Sequence, residues 1–282
     1  MKKGLILEGG AMRGLFTAGV IDVLMENGVE FDGAVGVSAG AAFGVNYKSG
    51  QIGRVLRYNT KFARDKRYCG IGVFLRTGNI YSTDFCYNEV PCVHDVFDFD
   101  AYEKNPMEFY VVATDVETGK PVYHKFEGCN DNGFDWIRAS ASMPLVSQIV
   151  DIDGQKLLDG GIADSIPIKF FENLGYEKNV VILTRPKGYV KSKNKAMPIV
   201  RLKYRKYPSF VETMNNRHKV YNNTLEYIEE KEAKGELFVI RPDDDIPVSR
   251  VERDAEKLKL AYNIGRKKAK ERLSEIISYL DK

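Results

Sequence analysis

Long apolar runs are absent from this chain of 282 residues. A helix that crosses a bilayer needs about 18 or more consecutive apolar residues, and charged residues interrupt every apolar run before that length. Two lysines precede the apolar residues 4–7, as in a signal peptide, but Glu8 and Arg13 end that pattern at once. We therefore expect neither a signal peptide nor a transmembrane helix. The sequence predicts a cytoplasmic protein whose contact with membranes is at most peripheral.

Histidine is scarce, and the cysteines are unpaired in sequence. The three histidines are His94, His124 and His218, and the four cysteines are Cys69, Cys86, Cys92 and Cys129. No two cysteines form a Cys-x-x-Cys pair, and none lies at metal-ligand spacing from a histidine. The sequence therefore predicts reduced thiols in a cytosolic protein, with no metal and no organic cofactor.

Neither sign of charge is in large excess. The chain carries 42 Lys and Arg against 39 Asp and Glu, a net charge of +3, which argues against a dedicated nucleic-acid binder. One segment departs from this balance, because residues 185–206 contain nine basic residues and no acidic one, with Tyr189 and Tyr204 among them. Such a segment either attracts the headgroups of an anionic membrane surface or forms a solvated loop or helix face.

The chain is long and apolar enough for a sizeable core, since 44% of its residues are hydrophobic. It opens with a strand–loop–helix–strand–turn–helix pattern, which is typical of a parallel sheet covered by helices. Later apolar runs predict strands at 109–114, 122–126, 180–183 and 237–240, a hairpin around Asp153 and Gly154, and a last helix over about 250–280. There is no internal repeat and no low-complexity segment.

The most informative motif is Gly-x-Ser-x-Gly at residues 36–40. An apolar strand precedes it and small helix-forming residues follow it, which is the context of a nucleophile elbow. A serine hydroxyl becomes a useful nucleophile when a strained turn holds it beside a base. Gly36 and Gly40 would let the strand and the helix pass closely around Ser38, because a Cβ at either position would clash.

A second motif is the glycine-rich loop at residues 9–14, which contains Gly9, Gly10 and Gly14. Small residues at the start of a helix allow backbone N–H groups to converge on an anion, and the helix dipole adds positive potential. The loop lies one strand–helix unit before Ser38. In a parallel sheet, we therefore expect the loop and the serine turn to lie side by side at the same edge.

The base that activates Ser38 is not evident among the histidines. His94 falls in a loop-like stretch, His124 on a strand, and His218 near the apolar stripe of a late helix, so a histidine-dependent triad is the weakest alternative. Asp159 follows an apolar strand and precedes Gly160 and Gly161. An aspartate at such a strand end can accept a serine proton directly, although Asp-Gly-Gly also occurs in ordinary turns.

Taken in order, these three motifs resemble the patatin-like phospholipase family, and the chain looks most like its bacterial members. The glycine-rich loop comes first, Gly-x-Ser-x-Gly follows roughly 25 residues later, and Asp-Gly-Gly follows about 120 residues after that. Residues 138–144 and 164–167 also resemble family sequence. The resemblance extends from residue 4 to about residue 185.

The resemblance implies an α/β fold, a three-layer sandwich with a mainly parallel central sheet, plus a mainly helical C-terminal extension. It further implies that the protein hydrolyses lipid acyl esters, with Ser38 as nucleophile and Asp159 as its only base. The N–H groups of Gly10 and Ala11 would form the oxyanion hole, and Arg13 would support it. One departure is that the family loop usually has a third glycine, where this chain has Ala11, and alanine does not easily adopt a positive φ.

The sequence divides at residue 185. We expect residues 1–185 to form the hydrolase domain and residues 186–282 to form the basic segment and the helical extension. An alternative function is a lipid- or partner-binding scaffold on the same fold with residual hydrolysis, which Ala11 and the basic segment favour. Headgroup, chain length, positional preference and oligomeric state are not evident from the sequence.

Overall fold

One sheet of eight strands forms the centre of the protein in residues 1–128 and 134–281, which the computed structural model describes. The strands are β1 (Lys2–Leu7), β2 (Gly33–Val37), β3 (Glu108–Asp115), β4 (Pro121–Lys125), β5 (Val150–Ile152), β6 (Gln155–Asp159), β7 (Tyr176–Ile182) and β8 (Leu237–Ile240). Their order across the sheet is β5-β6-β3-β2-β1-β7-β8, and β4 pairs with β3 off this path.

The centre of the sheet is parallel, and one side of it is antiparallel. β3, β2, β1, β7 and β8 pair in parallel, whereas β4, β5 and β6 pair antiparallel to their neighbours. In this register Leu7 lies beside Gly36, so β1 and β2 end next to each other. The glycine-rich loop and the serine turn therefore lie at the same sheet edge, as the sequence predicted. The hairpin between β5 and β6 is also confirmed.

Helices connect the strands. They are α1 (Gly14–Glu26), α2 (Ala39–Lys48), α3 (Arg54–Phe62), α4 (Ile71–Thr77), α5 (Phe99–Lys104), α6 (Asp135–Ala141), α7 (Ile168–Asn173), α8 (Met197–Lys203), α9 (Pro208–Ala233) and α10 (Ala255–Asp281). A π-helical segment covers Phe85–His94, and short 3-10 turns cover Ala11–Arg13 and Gly160–Ile162.

Helices cover both faces of the sheet. Side chains alternate across each strand, so Leu5 and Leu7 of β1 pack on one side with α1, α2 and α10, and Ile6 packs on the other side with α7 and α9. The result is an α/β fold with three layers and a mostly parallel sheet, which confirms the predicted fold class.

The helix α10 packs closely against α1. A Cβ on Gly265 would lie 2.0 Å from the carbonyl oxygen of Phe16, so the two backbones cross with no room for a side chain. Across this crossing the Tyr262 hydroxyl donates to Asp22 at 2.7 Å, and Arg266 pairs with Glu26 at 2.7 Å. This contact holds α10 against α1, the helix that follows the glycine-rich loop.

The start of α10 differs from the prediction by five residues. The sequence pattern placed it at about residue 250, whereas the helix begins at Ala255. The carboxylate of Asp254 accepts the N–H of Glu256 at 2.9 Å, as a helix-capping residue does. The apolar pattern alone did not show that cap.

The segment after residue 185 contributes to the same sheet, since β8 pairs in parallel with β7. The predicted boundary at residue 185 falls just after β7, and the division of the chain there stays a prediction. In the part of the chain that the structure describes, no helix is both long enough and apolar enough to cross a bilayer. Cys129 lies outside the described residues, and Cys69, Cys86 and Cys92 are free thiols.

Candidate active site

Ser38 lies in the tight turn between β2 and α2. Its φ of 55° and ψ of −121° are outside the regions that an L-residue usually adopts, so the turn is strained. Two glycines allow this turn: a Cβ on Gly36 would lie 2.5 Å from the Gly40 carbonyl oxygen, and a Cβ on Gly40 would lie 2.3 Å from that of Leu7. The strand–turn–helix arrangement predicted around Ser38 is confirmed.

The hydroxyl of Ser38 donates a hydrogen bond to Oδ2 of Asp159 at 2.8 Å. Asp159 is the last residue of β6, which pairs with β3 beside β2. Its other oxygen, Oδ1, accepts the N–H of Gly161 at 2.8 Å, and its carbonyl oxygen accepts the Thr114 hydroxyl at 2.8 Å. The carboxylate is therefore fixed in position, with one oxygen directed at the serine.

Burial of the Asp159 carboxyl raises its pKa above the usual aspartate value. The nearby charge of Arg217, the hydrogen bond from Ser38 and the N–H of Gly161 each act in the opposite direction. Desolvation dominates, because the charged form loses more hydration than these partners replace. A carboxylate with a raised pKa is a stronger proton acceptor than an ordinary aspartate.

Ser140, on α6, anchors the backbone of the tight turn that contains Ser38. Its Oγ accepts the N–H of Ser38 at 2.8 Å and donates to the carbonyl oxygen of Val112 on β3 at 2.6 Å. The sequence reading noted residues 138–144 as family-like but gave Ser140 no role. A serine in a short helix has no local signal for a contact 102 residues away.

The glycine-rich loop lies beside Ser38. A Cβ on Gly9 would lie 3.0 Å from the Cβ of Ser38. Gly10 precedes the 3-10 turn, and its carbonyl oxygen accepts the N–H of Arg13 at 3.2 Å. Within residues 1–128 and 134–281, the N–H groups of Gly10 and Ala11 donate to no protein acceptor. Both groups are thus free to donate to a bound oxygen atom.

Ala11 adopts a left-handed conformation, with φ of 49°. This is the position where the sequence departs from the usual third glycine. Residue 11 is thus left-handed even though it is an alanine, and this conformation costs about 1 kcal/mol in backbone strain.

The other motif glycines lie against neighbouring chain. A Cβ on Gly14 would lie 2.9 Å from the Ala39 Cβ. A Cβ on Gly160 would lie 2.0 Å from the Val112 carbonyl oxygen. Gly161 acts through its backbone N–H, which donates the hydrogen bond to Asp159 Oδ1.

Two charged residues lie at the two ends of this loop: Glu8 directly precedes it, and Arg13 is near its end. Glu8 is buried, and its carboxylate accepts the Thr184 N–H at 2.6 Å and the Tyr221 hydroxyl at 2.6 Å. Arg13 has a buried Nε atom that has no hydrogen-bond partner among the described residues. Burial, and then the charge of Arg185, lowers the pKa of Arg13. Glu8 thus connects β1 to α9, whereas Arg13 leaves a donor unused.

An apolar cavity of about 110 Å³ opens on one side of Ser38. Its wall includes the side chains of Phe43, Tyr58, Tyr87, Val90 and Ile137. It is lined mainly by helices α2 and α6 and the π-helical segment, which lie on one face of the sheet. The shape and lining suit a hydrocarbon group.

A larger cavity of about 400 Å³ opens on the other side of Ser38. Its wall includes Asp159, the glycine-rich loop and many cationic side chains. The cationic residues that line it are Arg13, Arg185, Lys191, Lys193, Lys195, Arg217 and Arg250. Ser38 lines both cavities, so its hydroxyl lies at the boundary between an apolar and a cationic space.

Arg217 and Lys191 were not identified from sequence. Arg217, on α9, donates from Nε to the carbonyl oxygen of Gly161. Burial, and then the charge of Arg217, lowers the pKa of Lys191 to about 7. Both residues approach the site from the segment after residue 185, where the sequence showed only positive charge and helical periodicity.

The hydroxyl of Ser38 pairs with a carboxylate and not with an imidazole. The His94 ring packs between Phe62 and Phe85, and the His124 ring stacks on Trp136 at a centroid distance of 3.8 Å. His218 lines the cationic cavity. Among the described residues, no group of three or more His, Cys, Asp or Glu side chains could hold a metal ion.

Two family models match separate parts of the chain. One, described as patatin-like phospholipase, matches residues 5–171. The other, described as a domain of unknown function (DUF6363), matches residues 207–281. The first covers the glycine-rich loop, Ser38 and Asp159, and the second covers Arg217 and Arg250.

Several curated proteins are similar to this chain. The uncharacterized protein YjjU of Escherichia coli (strain K12) is 34% identical over 194 residues, which cover 64% of this chain and 52% of YjjU. Lysophospholipase nte1 of Aspergillus terreus is 30% identical over 185 residues, covering 61% of this chain and 11% of that protein. The uncharacterized NTE family protein Mb1092c of Mycobacterium bovis is 30% identical over 171 residues, which cover 58% of this chain and 44% of that protein. The chain thus matches about half or less of each relative's length.

Among solved structures, the crystal structure of VipD from Legionella pneumophila is similar with a TM-score of 0.49 and 12% sequence identity. The similarity covers 97% of this chain and 67% of that chain.

Proposed function

The chain belongs to the patatin-like phospholipase family, and we propose on this premise that it is a serine-dependent acyl hydrolase that cleaves lipid esters. The observation that carries the proposal is the 2.8 Å hydrogen bond from Ser38 Oγ to Asp159 Oδ2, at the sheet edge where β2 ends. The nucleophile and the base meet there without a third side chain between them.

In the first step, Ser38 Oγ attacks the carbonyl carbon of the ester while its proton passes to Asp159. The carboxylate must be ionised for this transfer, and its raised pKa favours acceptance of the proton. The attack converts the carbonyl oxygen into an oxyanion, which needs donors in fixed positions.

The N–H groups of Gly10 and Ala11 are our proposed donors to that oxyanion. They lie in the loop beside Ser38 and donate to no protein acceptor in the part of the chain that the structure describes. Arg13 adds positive charge close by. Preorganised donors of this kind each contribute about 3 kcal/mol in related acyl-transfer sites.

The intermediate then collapses to an acyl-serine. The C–O bond to the alcohol breaks, and Asp159 returns its proton to the departing alkoxide oxygen. A water molecule next attacks the acyl carbon and gives its proton to Asp159. When the C–O bond to Ser38 breaks, that proton returns to Ser38 Oγ, so the free acid leaves and the enzyme is restored.

The two cavities fit the two halves of such a substrate. The acyl chain would occupy the apolar cavity, and the alcohol half would occupy the cationic one, since Ser38 lines both. A lipid ester is therefore a better match than a wholly polar ester. The proposed mechanism uses only side chains, backbone N–H groups and water.

We also propose that residues 185–206 rest on an anionic membrane surface. Val190, Ile199 and Leu202 expose 73%, 59% and 72% of their surface among the basic residues of this segment. Cationic side chains attract anionic headgroups, and exposed apolar side chains insert between them. The same segment forms part of the wall of the cationic cavity, so such contact would bring lipid close to Ser38.

Turnover of p-nitrophenyl acyl esters tests the proposed reaction. Ser38→Ala and Asp159→Asn should each lose at least about 1,000-fold in kcat/KM. Circular dichroism should show that both variants remain folded. A fluorophosphonate probe should label Ser38 alone, as mapped by peptide mass. Full turnover by Ser38→Ala, or labelling of another serine, would overturn the proposal.

A lipid-binding scaffold with residual hydrolysis is the second candidate, and the left-handed Ala11 is the observation that favours it. A strained oxyanion loop could bind an ester and turn it over slowly. Sedimentation with anionic vesicles separates the two functions. Strong binding without release of fatty acid would support the scaffold, whereas release at enzymatic rates would exclude it.

A further inference from the structure

The cationic cavity has a large imbalance of charge. Among the residues that the structure describes, seven Lys or Arg residues line it, and its acidic lining residues are Glu8 and Asp159. Both of these carboxylates already have partners. Glu8 accepts hydrogen bonds from Thr184 and Tyr221, and Asp159 accepts them from Ser38 and Gly161.

Two residues that line the cavity each have a buried nitrogen atom without a hydrogen-bond partner in the described part of the chain. The Nε of Arg13 and the Nδ1 of His218 have no hydrogen-bond partner among the described residues. Leaving a buried polar atom without a partner is unfavourable, so a hydrogen-bond partner is expected at each such position. A bound anion would accept hydrogen bonds from the guanidinium and reduce the repulsion among the cations.

The aromatic faces of the cavity do not offer a site for a headgroup amine. The ammonium of Lys191 lies 4.1 Å from the ring centre of Tyr221 and 5.8 Å from that of Tyr189. A lysine thus occupies the place where a quaternary ammonium group would bind. With both lining carboxylates engaged, the cavity suits an anion that carries no compensating positive charge.

Two of the arginines come from the C-terminal segment. Arg217 is on α9, and Arg250 lies in the loop before α10. Arg217 donates a hydrogen bond to the carbonyl oxygen of Gly161, two residues after Asp159 at the end of β6. Among the described residues, the Arg250 side chain makes no hydrogen bond or ion pair. Both lie within residues 207–281, which match a domain of unknown function.

We propose that Arg217 and Arg250, together with Arg13 and Lys191, bind a phosphate group on the alcohol half of the ester, and that this group carries no amine. This inference rests on the proposed function and specifies its substrate. The planar guanidinium groups match phosphate oxygens in pairs. The role of the C-terminal segment is therefore to select anionic single-chain phospholipids, since the apolar cavity on the acyl side is small.

The test compares two lysophospholipids that share one acyl chain. One carries a glycerol headgroup, with a net negative charge, and the other carries choline, with no net charge. The wild-type kcat/KM should favour the glycerol form by about 10-fold or more, and Arg250→Gln should reduce that preference by about 10-fold. Arg64→Gln is the matched control, because Arg64 is exposed, lies outside residues 185–206 and does not line the cavity.

A neutral p-nitrophenyl ester provides a separate measure of anion binding. Glycerol phosphate should inhibit its hydrolysis competitively, and Arg250→Gln should weaken that inhibition about 10-fold. Inorganic phosphate is run in parallel. Equal inhibition by both anions, without any headgroup preference, would mean that the site binds free phosphate and would overturn the substrate assignment.

The outcomes separate this inference from the proposed function. If the fluorophosphonate fails to label Ser38, the proposed hydrolase itself is wrong. If Ser38 is labelled and neutral esters are hydrolysed, but the choline form is used equally well, only the anion site is wrong.

Arg217→Gln has a readout of its own. Removal of the Arg217 charge should raise the pKa of Asp159 and so shift the acidic limb of the pH–rate profile to higher pH.

Discussion

Ser140 fixes the backbone of Ser38: its Oγ accepts the Ser38 N–H at 2.8 Å and donates to the Val112 carbonyl oxygen at 2.6 Å. This bridge joins α6 to the turn that contains Ser38 and to β3. Since Ser38 has a strained φ and ψ, surrounding contacts must maintain its conformation. Ser140 supplies one of them directly.

Ser140→Ala should therefore lower kcat by about 10-fold. It leaves the buried Ser38 N–H without an acceptor, and the turn relaxes away from the geometry that holds Oγ against Asp159. Steady-state turnover of a p-nitrophenyl ester measures the effect. Ser142→Ala is the control, because Ser142 directly follows α6 and its hydroxyl donates to the carbonyl oxygen of Arg138, with no hydrogen bond to Ser38. Equal kcat in wild type and Ser140→Ala would contradict this role.

Ala11→Gly should increase the free energy of unfolding by up to about 1 kcal/mol without lowering kcat. Glycine adopts the left-handed conformation of residue 11 without strain, and the N–H that we assign to the oxyanion hole is retained. Urea denaturation and ester turnover measure the two effects. Ala101→Gly on α5, where the backbone is helical, should instead lose up to about 1 kcal/mol. A large fall in kcat for Ala11→Gly would mean that the alanine methyl itself positions the loop.

The rate of hydrolysis should decline toward acid with a midpoint above the usual pKa of aspartate, about 3.9. Asp159 must be ionised to accept the Ser38 proton, and burial raises its pKa. The rate therefore rises with pH as the carboxyl loses its proton. A profile of kcat/KM against pH for a neutral ester reads this midpoint in the free enzyme. A midpoint at or below the ordinary aspartate value would show that Arg217 outweighs desolvation.

Asp159→Asn should be more stable than the wild type at pH 7, by about 1 kcal/mol. The raised pKa means that the folded protein binds the proton more tightly than the unfolded chain does. The free energy of unfolding of the wild type thus falls as the pH rises from the unfolded pKa through the folded pKa. The amide carries no charge: its oxygen can accept the Gly161 N–H, and its nitrogen can donate to Ser38 Oγ, which reverses the direction of that hydrogen bond.

Urea denaturation at pH 7, where the wild-type carboxylate is ionised, measures the difference in stability. The advantage of Asp159→Asn should shrink at acid pH. Thr118→Ala is a useful control for a lost turn hydrogen bond remote from the site. A variant less stable than the wild type at pH 7 would mean that the ionised carboxylate stabilises the fold.

The fold class and the tight strand–turn–helix around Ser38 could be predicted because their signals are local. Gly36 and Gly40 flank Ser38 within one turn, and the strand before them is continuous and apolar. Parallel pairing then places the glycine-rich loop beside that turn, as the register of Leu7 and Gly36 shows. Asp159 came from the resemblance, since an Asp-Gly-Gly sequence by itself also fits an ordinary turn.

The rest of the site depends on contacts between residues that are far apart in the chain. Ser140 reaches Ser38 across 102 residues, and Arg217 reaches Gly161 across 56. Neither residue has neighbours in sequence that distinguish it from a surface serine or arginine. The left-handed conformation of Ala11 could not be predicted either, because only the packing of the loop decides whether an alanine there adopts a strained, positive φ.

The packing of α10 on α1 affects how the protein can be made. Residues 14–24 of α1 are all buried, and the Gly265 crossing leaves no space between the two helices. On a ribosome, α1 is made long before α10, so the face of α1 that α10 covers stays exposed while most of the polypeptide is translated. Until α10 is synthesised, that apolar face is a site at which nascent chains can aggregate.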